Sequence, residues 1–367
     1  MSPSIPSKMQ AWLKHSSSPD PQYTTIPVPS CPPSGFLVRI LAAGVCHSDV
    51  AILADTGATR QAFYRDPFVL GHEGCGEITT IGSSIPKDSP AAGLKVGDRV
   101  AMNPVAGCDD KACPDCGTGF PQLCQSTEGS HHGLGQDGSF AQYVAISHRS
   151  AIPVPAGVSA AEAAVATDAV MTSHHAIVTR AKITAKDTVF QFGLGGLGMN
   201  AVQILLRVGC TLYVNDVRQG PLDEAVKLGV PANNVVPVGT SVQEWVKEKG
   251  LEGRIDKVVD FVGLQQTFSD AEVIVRRGGT IINVGLLEHS HKTNHISNIV
   301  KALTVLYTFG GHSADIVEGM KMIADGSLKP QVETVAMQDF PTALRDLHEG
   351  RVKSRVVLIP EGLDAEG

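Results

Sequence analysis

Four cysteines crowd into one short stretch of the chain, Cys108, Cys113, Cys116 and Cys124. Their spacing is C-x4-C-x2-C-x7-C, in a loop rich in Asp, Gly and Pro. Four thiolates this close together can form a closed tetrahedral site with no open position, which defines a structural zinc site. A set of free or redox-active thiols is the alternative. We predict a structural zinc ion that holds a lobe of the fold and takes no part in a reaction.

A second candidate functional motif is the hexapeptide Gly193-Leu194-Gly195-Gly196-Leu197-Gly198, which matches G-x-G-x-x-G. An apolar, β-prone run precedes it, and a helical pattern and another β-prone run follow. In this β-α-β context the first glycine permits a tight turn, the second lets the backbone approach a pyrophosphate, and the third lets the helix pack close to the sheet. The hexapeptide is therefore predicted to bind a dinucleotide at a helix N-terminus.

Asp216 ends the second β-prone run, about 20 residues beyond the glycines. A carboxylate at this position can accept both ribose hydroxyls of an adenosine, and it would repel a 2′-phosphate. A turn aspartate at a strand end is the simpler alternative, and Arg218 could soften the discrimination between the two nicotinamide cofactors. We predict that the cofactor is NAD rather than NADP.

The third candidate site combines two motifs that are separated in the sequence. Cys46 lies in G-V-C-H-S-D, and His72 follows 26 residues later in G-H-E-G-x-G-E-I. Cys46 alone could be an ordinary buried cysteine, but the glycines on both sides of His72-Glu73 leave room for a ligand and a metal. Together the two motifs resemble those of the zinc-dependent alcohol dehydrogenases of the medium-chain dehydrogenase/reductase superfamily, and the resemblance spans nearly the whole chain.

The resemblance implies that Cys46 and His72 bind a catalytic zinc ion, which needs a third protein ligand and an open position. At the expected third position the chain has Asp168, where many relatives have cysteine, and this resembles the subset that uses a carboxylate. A helix N-cap is the alternative for Asp168. Glu73 is expected either to contact the ligand residues without binding zinc or to replace one of them on the zinc ion. The four-cysteine lobe departs from the family pattern, which has two residues between its first two cysteines.

The residues that follow Cys46 also have implied roles. Ser48 matches the hydroxyl that relays a proton from the substrate, but Ala51 occupies the position where many relatives continue the relay with histidine. Asp49 resembles the carboxylate that orients the ligand histidine, and His47 matches a basic contact to the pyrophosphate. A turn aspartate and a solvated histidine are the alternatives.

Further cofactor contacts are expected at four positions. Thr172 matches a family position that contacts the nicotinamide, and Arg355 matches a pyrophosphate contact, for which a solvated strand arginine is the alternative. Val262 and Val284 end strands at the carboxyl edge of a parallel sheet, where ligands of such sheets bind, although core packing would also explain both. The tandem His131-His132 is interpreted as polar surface.

The predicted elements place these residues. Short alternating runs near residues 9–13, 23–28 and 36–42 favour β-strands, and an alanine-rich helical pattern begins after Ser159. Further β-prone runs at 188–192, 211–214, 235–238, 257–262 and 281–286 alternate with helical patterns, as in a parallel sheet.

Composition limits the function classes. The chain has 367 residues, is 43% apolar and has a formal charge of −7, so there is no electrostatic case for nucleic acid or anionic lipid as a partner. No apolar run approaches membrane-spanning length, and the N-terminus lacks an apolar signal region. We expect a cytoplasmic protein, and therefore metal rather than disulfides at the clustered cysteines.

The predicted fold class is α/β: a doubly wound Rossmann parallel sheet, residues 159–309, plus a GroES-like, mainly β catalytic domain, residues 1–158 and 310–367. We expect a zinc-dependent alcohol dehydrogenase or aldehyde reductase that transfers hydride between NAD(H) and a small primary or secondary alcohol, aldehyde or ketone, with two zinc ions per chain. The family is oligomeric, which implies a homodimer or homotetramer. A non-catalytic NAD-binding zinc protein and a zinc-free quinone or enoyl reductase are the alternatives.

Overall fold

The computed structural model describes residues 5–55, 64–352 and 355–363. The chain divides into two compact units. The first unit comprises residues 1–171, 312–326 and 330–367, and the second comprises residues 172–311 and 327–329.

The strands of the first unit form two sheets. In chain order they are β1 (Lys8–Lys14), β2 (Gln22–Pro27), β3 (Gly35–Gly44), β4 (Phe68–Val69), β5 (Glu73–Ile81), β6 (Arg99–Met102), β7 (Tyr143–Ser147) and β8 (Ala151–Pro153), with β14 (Val332–Ala336) and β15 (Arg355–Ile359) near the C-terminus. The larger sheet has the order β14-β15-β3-β5-β6-β8, with β7 also paired to β3, and the smaller has the order β2-β1-β4.

The second unit contains one parallel sheet among the described residues. Its strands are β9 (Thr188–Phe192), β10 (Thr211–Asn215), β11 (Ile255–Asp260), β12 (Val275–Asn283) and β13 (Thr304–Tyr307). The order is β10-β9-β11-β12-β13, and every neighbouring pair is parallel. Helices alternate with these strands, so the predicted Rossmann architecture is confirmed.

The helices are mostly short. They are α1 (His47–Ala54), α2 (Ala160–Val165), α3 (Met171–His174), α4 (Gly198–Val208), α5 (Gln219–Leu228), α6 (Val242–Glu248), α7 (Gln265–Ile274), α8 (His295–Lys301), α9 (Ser313–Ala324) and α10 (Phe340–His348). Two π-helical turns, Ala166–Val170 and His175–Arg180, adjoin α3. In the described part of the chain, no helix is long and apolar enough to cross a membrane.

Aromatic side chains dominate the core of the first unit. Phe36, Phe140 and Phe340 are completely buried, and the ring centroids of Phe140 and Phe340 lie 4.7 Å apart. Trp12 packs on the same cluster and donates a hydrogen bond from its indole nitrogen to the Met337 carbonyl, at 2.8 Å. This core joins the first strands of the chain to its C-terminal segment, so residues more than 300 positions apart pack together in the first unit.

One predicted strand is wrong. Residues 235–238 form a single bridge, between Val235 and Val214 of β10, and not a strand. The run is apolar, but Pro237 lacks the backbone N–H that a longer ladder would need.

Candidate metal centre and cofactor loop

Four side chains of the first unit converge on one point. The potential ligand atoms of Cys46, His72, Glu73 and Asp168 all lie within 4.8 Å of one another, and Cys46 Sγ is 3.2 Å from Asp168 Oδ2. Sulfur, imidazole nitrogen and carboxylate oxygen are the ligand types that zinc prefers. The four residues are separated by up to 122 positions in the sequence, so only the fold brings them together.

Strand pairing brings Cys46 close to His72. Gly44, the last residue of β3, pairs with Glu73, the first residue of β5, and Cys46 follows β3 at the start of α1. The carboxylate of Asp49 then contacts both residues: Oδ2 accepts the Cys46 N–H at 2.9 Å, and Oδ1 lies 3.3 Å from His72 Nδ1. This arrangement leaves His72 Nε2 as the ring nitrogen available to a metal.

Asp49 also sets the electrostatics of His72. Burial opposes a charge on the ring, but the neighbouring Asp49 and Cys46 raise the pKa of His72 well above its usual value. The Asp49 carboxylate is itself fully buried, so its charge is little screened from the ring by solvent. A carboxylate beside Nδ1 favours a proton on that nitrogen, which is the arrangement typical of histidines that bind a metal through Nε2.

Asp168 lies inside a helical segment and not at its start. The N-cap of α2 is Ser159, whose hydroxyl accepts the Glu162 N–H in a capping box. Asp168 is the third residue of the π-helical turn Ala166–Val170 that follows α2. The N-cap alternative for Asp168 is therefore excluded, and single π-helical turns within helices are frequent at functional sites.

Arg355, from the first position of β15, contacts the same cluster. Its guanidinium forms an ion pair with Glu73 Oε1 and lies 3.4 Å from Asp168 Oδ2. Arg355 is 4% exposed and Glu73 is fully buried, so the alternative of a solvated arginine is excluded. The contact to a cofactor pyrophosphate stays a prediction. Sequence reasoning missed the pairing of Arg355 with Glu73, because the two residues are 282 positions apart.

The remaining residues of α1 frame this centre. Ser48 Oγ lies 3.7 Å from Cys46 Sγ, which places the hydroxyl beside the cluster. His47 is exposed at the first position of α1, and its pyrophosphate contact stays a prediction. Ala51 is exposed on the same helix and offers no titratable group.

The four clustered cysteines also converge. The sulfurs of Cys108, Cys113, Cys116 and Cys124 lie within 4.8 Å of one another. Cys108 Sγ is 3.7 Å from Cys116 Sγ, and Cys113 Sγ is 4.0 Å from Cys124 Sγ, distances too long for disulfides. The longer C-x4-C spacing thus still allows four sulfurs to surround one point.

The interpretation of His131 and His132 as polar surface is wrong. Both are buried, and His131 Nε2 makes a 2.7 Å hydrogen bond with the Cys124 carbonyl. His131 has a φ of 81°, so a turn directs it inward toward the cysteine lobe. Hydrophobicity patterns do not reveal such a turn, because it depends on backbone conformation.

The glycine-rich loop of the second unit has the expected geometry. Gly193 has a φ of 84°, and a Cβ on Gly198 would lie 2.1 Å from the Gly193 carbonyl oxygen. A Cβ on Gly195 would meet no described atom within 4 Å, so packing within the protein does not require glycine there. The open space beside Gly195 fits the approach of a ligand to the backbone.

Asp216 follows β10 and is largely buried beside this loop. Its Oδ2 accepts the Leu194 N–H at 2.8 Å, and its Oδ1 accepts from the backbone and side chain of Arg218 at 3.0 and 3.1 Å. The carboxylate is therefore held at the carboxyl end of β10, where an adenosine ribose would lie. The ribose contact and the role of Arg218 stay predictions.

The other expected cofactor contacts also occupy the second unit. Val262 and Val284 follow the adjacent strands β11 and β12, and their backbone N–H groups donate to Asp260 at 2.8 and 2.9 Å. Thr172 is buried at the second position of α3. Sequence reasoning missed Gln191, a buried polar residue of β9 whose amide contacts the glycine-rich loop. An isolated glutamine in an apolar strand was the available signal.

Comparison with known proteins defines the class. Residues 32–156 match the alcohol dehydrogenase GroES-like domain family, and residues 196–325 match the zinc-binding dehydrogenase family. An NAD-dependent alcohol dehydrogenase from Sulfurisphaera tokodaii is 30% identical, over 91% of this chain and 95% of that protein. The chain therefore belongs to the zinc-dependent alcohol dehydrogenases of the medium-chain dehydrogenase/reductase superfamily, as its motifs indicated.

Solved structures agree with this assignment. The acetophenone reductase from Geotrichum candidum, in complex with NAD, is 31% identical with a TM-score of 0.84, over 97% of this chain and 98% of that one. The alcohol dehydrogenase from the archaeon Aeropyrum pernix is 27% identical with a TM-score of 0.82, over 96% and 100%. The predicted GroES-like and Rossmann fold is thus confirmed along nearly the whole chain.

The glycine turn directly before His72 can be tested by substitution. Gly71 and Gly97 have nearly equal φ values, 93° and 95°, but a Cβ on Gly71 would lie 2.3 Å from Phe140 Cδ1, whereas one on Gly97 would meet nothing within 4 Å. We expect Gly97→Ala to cost about 1 kcal/mol, from backbone strain alone. Gly71→Ala should cost about 3 kcal/mol or more, because it also displaces the Phe140 ring from the core. Thermal unfolding of both variants measures this difference, and equal losses would contradict the described turn.

Proposed function

We propose that the protein is a zinc-dependent alcohol dehydrogenase that transfers hydride between NAD(H) and a primary or secondary alcohol or the corresponding carbonyl compound. The observation that carries the proposal is the convergence of Cys46, His72 and Asp168 in a chain of this family. The set provides one sulfur, one nitrogen and one oxygen, which suits a catalytic zinc ion with an open fourth position.

In this proposal Cys46, His72 and Asp168 hold the catalytic zinc. When bound, zinc polarises the oxygen of an alcohol or carbonyl group as a Lewis acid, and NAD accepts or returns the hydride. Asp49 keeps Cys46 and His72 in place through its two oxygens. Arg355 pairs with Glu73, which favours a supporting role for Glu73 over permanent ligation.

Ser48 is proposed to move the proton. Its hydroxyl, 3.7 Å from the Cys46 sulfur, is near enough to the ligand set to accept a proton from an alcohol held there and to pass it outward. Ala51 cannot continue such a path, so water or another group must take the proton from Ser48.

The second unit is proposed to bind NAD, residues 193–198 holding the pyrophosphate and Asp216 the adenosine ribose, with Arg218 beside it. The support is the open space at Gly195 and the position of Asp216 at the end of β10. NAD is also proposed to contact His47, Thr172, Val262, Val284 and Arg355. The NAD-binding domain is proposed as residues 159–309 and the catalytic domain as residues 1–158 and 310–367, whereas the first compact division falls after Met171 and the second after Gly311.

A second, structural zinc ion is proposed at Cys108, Cys113, Cys116 and Cys124. The support is the convergence of four sulfurs, with no fifth position left for a substrate. None of the eight cysteines forms a disulfide, which favours a reducing compartment such as the cytoplasm.

Two variants separate the proposed zinc ions. Cys46→Ser should remove the catalytic ion and lower turnover by about a thousandfold, because the metal's contribution to the transition state is lost. Cys113→Ser should remove the structural ion and lower the unfolding temperature. Zinc content by elemental mass spectrometry, turnover of NAD with a panel of alcohols, and thermal unfolding provide the readouts.

Cys210→Ser, at a cysteine far from both clusters in sequence, is the control and should retain both ions. Wild-type turnover in the Cys46→Ser variant would favour the zinc-free reductase class. A wild type that binds both ions and NADH but turns over no alcohol, aldehyde or ketone would favour a non-catalytic NAD-binding protein.

We also propose that the chain forms a homodimer through the β13 edge of the second unit. Among the described strands, β13 is paired only with β12, so its other backbone edge is open for pairing. Several apolar side chains near this edge are more than half exposed. They follow β12, lie on α8, or lie at and just beyond the end of β13: Leu286, Leu287, Ile296, Ile299, Val300, Tyr307 and Phe309. Lys301 of α8 donates hydrogen bonds to the carbonyls of Glu272, Val273 and Val275. These bonds attach α8 to the end of α7 and the start of β12.

A charge placed in this surface tests the dimer. Two copies that pair their β13 edges about a twofold axis would bury the same apolar residues on both sides. Ile299→Glu should therefore dissociate the oligomer, whereas Val238→Glu, an exposed control on a different segment, should not. Light scattering should give twice the 38.6 kDa chain mass, or four times for a tetramer built from such dimers. A monomeric wild type, or an oligomer that Ile299→Glu leaves intact, would contradict the proposal.

A further inference from the structure

Gln191 is a polar residue on an inner strand of the parallel sheet. It lies in β9 between Phe190 and Phe192 and is completely buried. Its Nε2 donates to the Gly193 carbonyl at 2.9 Å and to the Gly198 carbonyl at 2.8 Å. One side-chain amide thus joins the first and last glycines of the glycine-rich loop.

The orientation of this amide is fixed by chemistry. Exchanging its oxygen and nitrogen would place Oε1 within hydrogen-bonding distance of two carbonyl oxygens, which can only accept. In the given orientation both N–H groups are used, and Oε1 is a buried atom with no partner in the part of the chain that the structure describes. A buried acceptor without a partner is unfavourable, so the two donated bonds are the reason for a polar residue here.

The two bonds act on a loop that must present N–H groups to an anion. A pyrophosphate at a helix N-terminus is bound by backbone N–H groups, so the carbonyl groups of the same loop have to turn toward the protein. Gln191 holds two of these carbonyls. Asn200 Nδ2 and Ser173 Oγ hold two more, donating at 2.9 Å each to Gly196 and Leu197.

We propose that Gln191 is a positioning residue for NAD, which holds the glycine-rich loop in the conformation that binds the pyrophosphate. The inference rests on the proposed placement of NAD on residues 193–198. Gln191 is fully buried and acts through the loop backbone, so it affects the binding of the cofactor and not hydride transfer. A loop fixed before binding loses less conformational freedom when the cofactor arrives.

Gln191→Leu tests this role, because leucine keeps most of the volume and removes both donors. We expect the Kd for NADH, measured by calorimetry or fluorescence, to rise about tenfold, with a parallel rise in the KM for NAD. The kcat at saturating NAD should stay within about twofold, since the chemical step is untouched. Gln191→Glu should weaken NADH binding further, because a carboxylate repels both carbonyl oxygens. Gln191→Met provides the same test if the leucine variant fails to fold.

Gln203→Leu is the matched control. Gln203 is also a buried glutamine of the second unit, on α4, but its amide bonds the Lys329 backbone, with Oε1 accepting the Lys329 N–H at 2.8 Å. Both leucine variants should lower the unfolding temperature, but only the Gln191 variants should weaken NADH binding. Equal NADH affinity in Gln191→Leu and wild type would overturn the inference, as would an equal loss in Gln203→Leu.

Asp216→Ala separates this inference from the proposed function. Weaker NADH binding in Asp216→Ala with unchanged binding in Gln191→Leu would overturn the role of Gln191 and keep the placement of NAD. Unchanged binding in both variants would overturn the placement of NAD on this loop, and the role of Gln191 with it. Weaker binding in both variants supports the inference.

Discussion

Two groups that ionise to the same sign, the Cys46 thiol and the Asp168 carboxyl, lie 3.2 Å apart in the first unit. With the buried Glu73 they form a cluster of three acidic groups, and the guanidinium of Arg355 supplies one positive charge. If all three acids are ionised, two negative charges stay uncompensated. Metal ligands must be deprotonated, and like charges on Cys46 and Asp168 at this distance are unfavourable without a cation beside them. A divalent ion supplies the missing charge.

The first unit is arranged to keep these groups together. The pairing of β3 with β5 joins the Cys46 and His72 segments, and Asp49 contacts both residues. Arg355 reaches the cluster from the C-terminal strand β15, which pairs with the end of β3. Residues at the two ends of the chain thus contribute to one centre, so the aromatic core that joins those ends also stabilises the site.

Much of this arrangement could be predicted from the sequence, because local motifs carry it. The G-x-G-x-x-G context predicted β9, α4 and β10, and the spacing of cysteines predicted the second cluster. Asp168 could be proposed as a ligand only by resemblance, since its π-helical turn leaves no pattern in the sequence. Periodicity does not encode tertiary contacts or backbone conformation. It therefore could not predict the Arg355–Glu73 pair, the inward turn of His131, or the hydrogen bonds from Gln191 to the glycine-rich loop.

Anomalous diffraction at the zinc absorption edge, from crystals of the full chain, would test the central claim most directly. The account predicts a peak bounded by Cys46 Sγ, His72 Nε2 and an oxygen of Asp168, with metal–ligand distances of about 2.0 to 2.3 Å. A peak at the four-cysteine cluster alone, with Asp168 still paired to Arg355 and no density between Cys46 and His72 at full zinc loading, would contradict it.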